Sequence, residues 1–184
     1  PDKVKIGTVG RPLPGMELKI ASDGEVLIRG RGVMKGYWNR AEATKEAIDP
    51  DGWFHSGDIG EIDTEGFLKI TDRKKDIIVT AGGKNVAPQN LENLVKSRSP
   101  LISQAVVHGD KRKFLSVLIT LDEENVAKWA TGKGLVGDYR ALTQSRELDT
   151  EIGNVIKGIN SGLASYESLK KFKVLDHDFV VGEQ

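Results

Sequence analysis

The chain has 184 residues, with 27 Lys and Arg against 27 Asp and Glu, 38% hydrophobic residues and no cysteine. A formal net charge of zero leaves no overall field to gather nucleic acid, and without thiols there is no disulfide, thiolate metal site or cysteine nucleophile. None of His55, His108 and His177 stands at metal-ligand spacing from another, no apolar run approaches the roughly 20 residues that span a bilayer, and no signal peptide is visible. The expected setting is cytoplasmic, with contact at a membrane periphery left open, and the length fits one ordinary domain or two small ones.

The first third reads as strands and turns. Met16, Leu18 and Ile20 alternate with Glu17 and Lys19, Asp23-Gly24 is a hairpin turn, and Glu25 to Arg29 is the returning strand. Residues 40–48 are helix formers that stop at Asp49-Pro50-Asp51-Gly52. Trp53 to Asp58 reads as a strand ending in a turn. Glu61-Ile62-Asp63 and Phe67 to Ile70 make a further hairpin across Thr64-Glu65-Gly66. The segment Thr71 to Lys75 is a charged break, where the domain boundary is expected. This first part is short enough to need packing against something else.

Beyond the break, residues 77–79 and 84–86 flank Gly82-Gly83 as a short hairpin. Pro88 suits a first helical position, followed by Leu91, Leu94 and Val95 at helical spacing. Strands are expected at Ala105-Val106-Val107, at Phe114 to Leu121 and at Phe172 to Leu175. Helices are expected at 122–131 and 145–163, the latter with Leu148, Ile152, Val155, Ile156, Ile159 and Leu163 on one stripe. Trp38, Trp53 and Trp129 read as packing residues.

Four constellations could carry chemistry. Asp58 follows Gly57 at a strand end, where a carboxylate can accept two ribose hydroxyls and the glycine admits a ligand to the backbone; a plain turn is the bland alternative. Asp72-Arg73-Lys74-Lys75-Asp76 could be a solvated loop, yet it sits between apolar strands. Arg73 suits phosphate or ribose oxygens, and Lys75 or its neighbours could absorb a large backbone rotation. Gly82-Gly83 is a hairpin turn or a slot for a thin chain, and no P-loop spacing occurs. Lys111-Arg112-Lys113 is a basic turn between strands, either solvated or facing a nucleotide phosphate.

Taken together and in this order, the segments resemble the C-terminal part of the adenylate-forming ANL superfamily, which comprises acyl-CoA synthetases, adenylation domains and luciferases. Gly24 to Gly30 with Gly36-Tyr37-Trp38 resembles its Gly-Glu-(Ile/Leu) core segment. Phe54-His55-Ser56-Gly57-Asp58 resembles its (Tyr/Phe)-x-(Thr/Ser)-Gly-Asp motif, residues 72–76 its hinge motif, and residues 82–92 the stretch that follows the hinge. The resemblance runs from about residue 7 to residue 178, and the wording of Arg73 to Pro88 is most like the bacterial long-chain fatty acid branch. Two departures stand out: Ala87 replaces a capping serine, and Asn90 replaces one of two helix glutamates, so Glu92 is not expected to have a catalytic duty.

The resemblance implies an α+β fold. Residues 1–74 would be the β-rich end of a large AMP-binding domain. Residues 75–184 would be a small mobile C-terminal domain, a short antiparallel sheet flanked by helices, ending before the terminal catalytic lysine segment. It implies an AMP-forming acyl-CoA ligase with ATP, Mg2+ and CoA as cosubstrates, a fatty acid substrate, the rest of the N-terminal domain as partner, and no bound prosthetic group. Asp58 and Arg73 would bind ATP or AMP, Lys75 would be the hinge, and Gly82 and Gly83 would line the pantetheine tunnel. No catalytic set is complete here, so these residues alone are expected to be inactive. Alternatives are an acyl-AMP ligase, a ligase for another carboxylic acid, or a non-catalytic nucleotide-binding module.

Overall fold

A computed structural model describes residues 4–179. The chain divides into two compact units, Pro1–Asp76 and Ile77–Gln184.

The first unit is built on four antiparallel strands in the order β1-β2-β3-β4, namely β1 (Met16–Ile20), β2 (Glu25–Gly30), β3 (Phe54–Ile62) and β4 (Leu68–Arg73). The Asp23-Gly24 turn forms as the sequence requires: Gly24 has φ 89°, and Asp23 Oδ1 accepts the Glu25 N–H at 3.1 Å. Helix α1 (Ala41–Ala47) buries no residue. The core is small, with Val26, Leu27, Trp53, Phe67 and Leu68 buried. Trp53 packs as expected, with Lys19 Nζ 4.3 Å and the Arg29 guanidinium 4.4 Å from its ring centroid. Trp38 does not: it is 90% exposed, in company with exposed Ile6 and Leu13.

The charged segment expected to be a break is structured. Thr71 to Arg73 complete β4, and Lys74–Asp76 form a 3-10 turn. Asp72 is buried, not solvated.

In the second unit a hairpin of β5 (Ile78–Val79) and β6 (Asn85–Val86) leads into α2 (Pro88–Arg98), with Pro88 at its start and no side-chain cap at Ala87. A three-stranded sheet follows in the order β7-β8-β9, from β7 (Ile102–His108), β8 (Leu115–Leu121) and β9 (Leu169–Val174). Between β8 and β9 run α3 (Glu123–Lys133), α4 (Tyr139–Thr143) and α5 (Arg146–Asn160). The side chains of Asp122, Asp138 and Ser145 cap these three helices.

The sheet corrects one expectation. β7 and β8 are antiparallel, but β9 lies parallel to β8. A parallel return needs a long crossover, and the three helices supply it. Asn160 ends the last helix and sets the new strand, its side chain bonding both backbone groups of Leu169 at 2.9 Å. The core gathers α2, β8 and one stripe of α5, where Leu148, Ile152, Ile156 and Ile159 are all buried. Val155 and Leu163, placed on the same stripe from sequence, pack at its edge.

Candidate functional site

Asp58 lies within β3 and Arg73 ends β4; they are register partners across the two strands. Gly57, with φ 73°, turns the backbone just before Asp58. Arg73 Nε and Asp58 Oδ1 form an ion pair at 2.9 Å, the Arg73 side chain being 65% exposed and that of Asp58 30%. Both side chains reach solvent, that of Arg73 more than that of Asp58. That arrangement can accept hydroxyls and donate to anionic oxygens at neighbouring points. The Ser56 hydroxyl supports it, donating to the Val26 carbonyl at 2.7 Å while accepting the Asp58 N–H at 3.1 Å.

Beneath this pair lies a group drawn from three of the quoted motifs, to which the sequence reading gave no role. Glu25 is buried, and its Oε1 accepts the Gly57 N–H at 3.0 Å. Its Oε2 accepts from Lys74 Nζ at 2.8 Å and lies 2.9 Å from His55 Nδ1. Lys74 also pairs with Asp23 at 2.8 Å. The available signal was its place in the Gly24 to Gly30 segment; that Glu25 is buried along with Val26 and Leu27 only the fold shows, and a buried acid needs partners.

Burial pushes the Glu25 carboxyl up, but the bonds from Lys74, His55 and Gly57 outweigh it and hold it below its ordinary range. The Lys74 hydrogen bond likewise lowers Asp23, and the Asp23 and Glu25 bonds raise Lys74. The two carboxyls therefore contribute stability that is complete above their ordinary values of 3.8 and 4.5 and is lost as pH falls through their lowered folded values. The raised Lys74 contributes fully below its ordinary 10.5 and loses that contribution as pH rises through its folded value. Melting temperature followed through the acid range should accordingly fall less steeply in Lys74→Met than in the wild type. Parallel curves would show that the contacts do not couple to folding.

Lys75 occupies the middle of the 3-10 turn, one residue before the end of the first unit. Gly82 and Gly83 sit at the exposed tip of the β5–β6 hairpin. Gly83 has φ 71° and needs to be glycine for the turn; Gly82 lies outside the left-handed region, and an added Cβ would meet only Thr80 Oγ1 at 3.9 Å. The basic turn is less solvated in its backbone than expected. The Arg112 carbonyl accepts the Ala81 N–H at 2.9 Å, the Val79 carbonyl accepts the Lys111 N–H at 2.8 Å, and Asp110 Oδ1 accepts the Val79 N–H at 3.1 Å. Residues 109–113 thus brace the glycine hairpin. Glu92 has a structural task, accepting the Val107 N–H at 2.9 Å.

Among the described residues no group of three or more His, Asp or Glu converges as a metal site. No helix among them is long and apolar enough to cross a membrane.

Comparison with known proteins identifies the chain's relatives. The AMP-binding enzyme C-terminal domain family matches residues 75–176, more than half of the chain. The chain is 50% identical over 181 residues to the long-chain-fatty-acid–CoA ligase FadD15 of Mycobacterium tuberculosis, covering 96% of this chain and 29% of that protein. It is 42% identical to rat long-chain-fatty-acid–CoA ligase 6, covering 89% of this chain and 25% of that one. The chain thus spans under a third of the length of these relatives. Among solved structures, o-succinylbenzoate CoA synthetase of Bacillus subtilis in complex with its acyl-adenylate intermediate superposes with a TM-score of 0.67 at 30% identity. That match covers 94% of this chain and 33% of that one. The family match over residues 75–176 and the 50% identity to a ligase across nearly the whole chain place it in the AMP-binding family of adenylate-forming enzymes, whose C-terminal domain it carries.

Proposed function

We propose that the chain is the hinge-bearing portion of an ATP-dependent, AMP-forming long-chain fatty acid–CoA ligase working in the cytoplasm. The observation that carries this is the Asp58–Arg73 pair, which presents a carboxylate and a guanidinium side by side at one residue's remove from a lysine-rich turn. The names of the mycobacterial and rat relatives support the substrate class.

In the first half-reaction a fatty carboxylate oxygen attacks the α-phosphorus of ATP and pyrophosphate leaves. In the second, the CoA sulfur attacks the acyl carbonyl and AMP leaves as the thioester forms. Asp58 accepts the ribose hydroxyls in both, and Arg73 donates to ribose or phosphate oxygens of the same nucleotide. The nucleotide stays in place while the groups around the reacting carbon change, so a rotation at Lys75 serves the pair of steps. Gly82, with open space beside it, leaves room for pantetheine. Among the described residues no group of three or more His, Asp or Glu could hold a metal ion, and Mg2+ enters with ATP as cosubstrate. The exposed Ile6, Leu13 and Trp38 form surface for the rest of the larger N-terminal domain.

Asp58→Ala in the full-length ligase tests the nucleotide role. Losing charge-assisted bonds to two hydroxyls should raise KM for ATP about 10- to 100-fold. An unchanged KM would remove Asp58 from the site. Gly82→Ala is a steric probe that the fold tolerates, because the added methyl meets nothing closer than 3.9 Å. Its melting temperature should match the wild type, while crowding of the tunnel slows thioester formation about tenfold with little effect on ATP–pyrophosphate exchange. Equal rates in both steps would place pantetheine elsewhere.

A further inference from the structure

Glu25 is a buried carboxylate to which the two half-reactions assign no task. It opens β2 and uses both oxygens: one on the Gly57 N–H at 3.0 Å, the other on Lys74 Nζ at 2.8 Å and His55 Nδ1 at 2.9 Å. What matters is where these partners stand in the chain. Gly57 immediately precedes Asp58, and Lys74 immediately follows Arg73. Asp58 and Arg73 are themselves register partners joined by an ion pair. One carboxylate on β2 therefore ties the β3 arm, just before its acid, to the β4 arm, just after its arginine.

A buried carboxylate is costly unless fully bonded, and a neutral side chain could have closed the Gly57 turn alone. The charged group does more, because it also grips an ammonium 49 residues away in sequence. Gly57 at φ 73° has no Cβ within the turn to restrain it. Freed from Glu25, its peptide plane could turn and carry Asp58 with it. Lys74 would keep only Asp23 on its ammonium, at 2.8 Å.

We propose that Glu25 is the positioning residue of the nucleotide clamp, setting the Asp58–Arg73 pair through Gly57 on one arm and Lys74 on the other. This rests on the reading of Asp58 as a nucleotide ligand. Glu25 itself touches no nucleotide; it fixes the spacing and direction of the two groups that do. Because the same bonds anchor Lys74, the backbone on the near side of Lys75 is held while the residues beyond it turn.

The test is AMP binding, measured by calorimetry on the full-length ligase in four forms: wild type, Glu25→Gln, Asp58→Asn and the double variant. Glutamine keeps the shape and an oxygen for Gly57, but it turns an amide N–H toward the Lys74 ammonium. Glu25→Gln should weaken AMP about tenfold, and the double variant should bind no more weakly than Asp58→Asn alone, since Glu25 acts through Asp58. A merely structural role would leave AMP affinity unchanged below the melting temperature or would give additive losses, and either result overturns the proposal. If Asp58→Asn binds AMP as the wild type does, the nucleotide reading itself fails, and the proposal with it. Should Glu25→Gln not fold, Lys74→Met replaces it in the same cycle, with the same two results deciding.

Discussion

Lys75→Pro in the full-length ligase is expected to slow thioester formation by about a hundredfold while costing acyl-adenylate formation far less. Proline fixes φ near −65°, which is close to what a 3-10 turn already uses, so one orientation of the chain at residue 75 survives the substitution. The ring also disfavours the helical conformation that Lys74 has in this turn, and the bonds of its ammonium to Asp23 and Glu25 at 2.8 Å oppose that displacement. What is lost is the freedom to leave that orientation. A chain that must turn between two half-reactions then performs only the one it is set for. ATP–pyrophosphate exchange reports the first step, and single-turnover transfer from preformed acyl-AMP to CoA reports the second. Equal losses in the two would show that residue 75 is not the pivot.

Ile152→Ala carries the largest expected effect on folding. The side chain is fully buried at the centre of the α5 stripe, between Leu148 and Ile156. Removing it deletes buried methyl and methylene groups and leaves a cavity that the sheet beneath can only partly fill. The expected loss is about 2–5 kcal/mol, against a stability of roughly 5–15 kcal/mol for an ordinary domain. For a unit of this size that lowers the melting temperature by about 10–20 °C. Lys157→Ala, on the exposed side of the same helix, should change stability by less than about 0.5 kcal/mol. Denaturant titration of both variants checks the contrast; similar midpoints would show that the stripe does not hold the unit together.

Local signals in the sequence were strong where one periodicity or one turn chemistry acted alone. Asp23-Gly24 forms its hairpin, Pro88 starts its helix, and the apolar stripe from Leu148 to Ile159 faces the core. The readings that went astray involve partners distant in the chain. Asp72 lies in a run of charges, so composition pointed to solvent, whereas the strand carries it inward. Trp38 is the reverse, a residue type that usually packs and here stands exposed. The direction of β9 depends on how a 47-residue crossover lies on the sheet, from residue 122 to residue 168, which no short-range pattern in Phe172 to Leu175 records.

The sequence by itself determined the family and the order of its motifs, because turn residues, helix stripes and the Asp58, Arg73 and Lys75 positions are written as local spacings. Only the tertiary structure decided that Asp58 and Arg73 are cross-strand partners, and that Glu25, His55 and Lys74 meet beneath them. The reason is that pairing register is set by the whole strand surface and its turns, while a buried charge takes whichever donors the fold brings within about 3 Å.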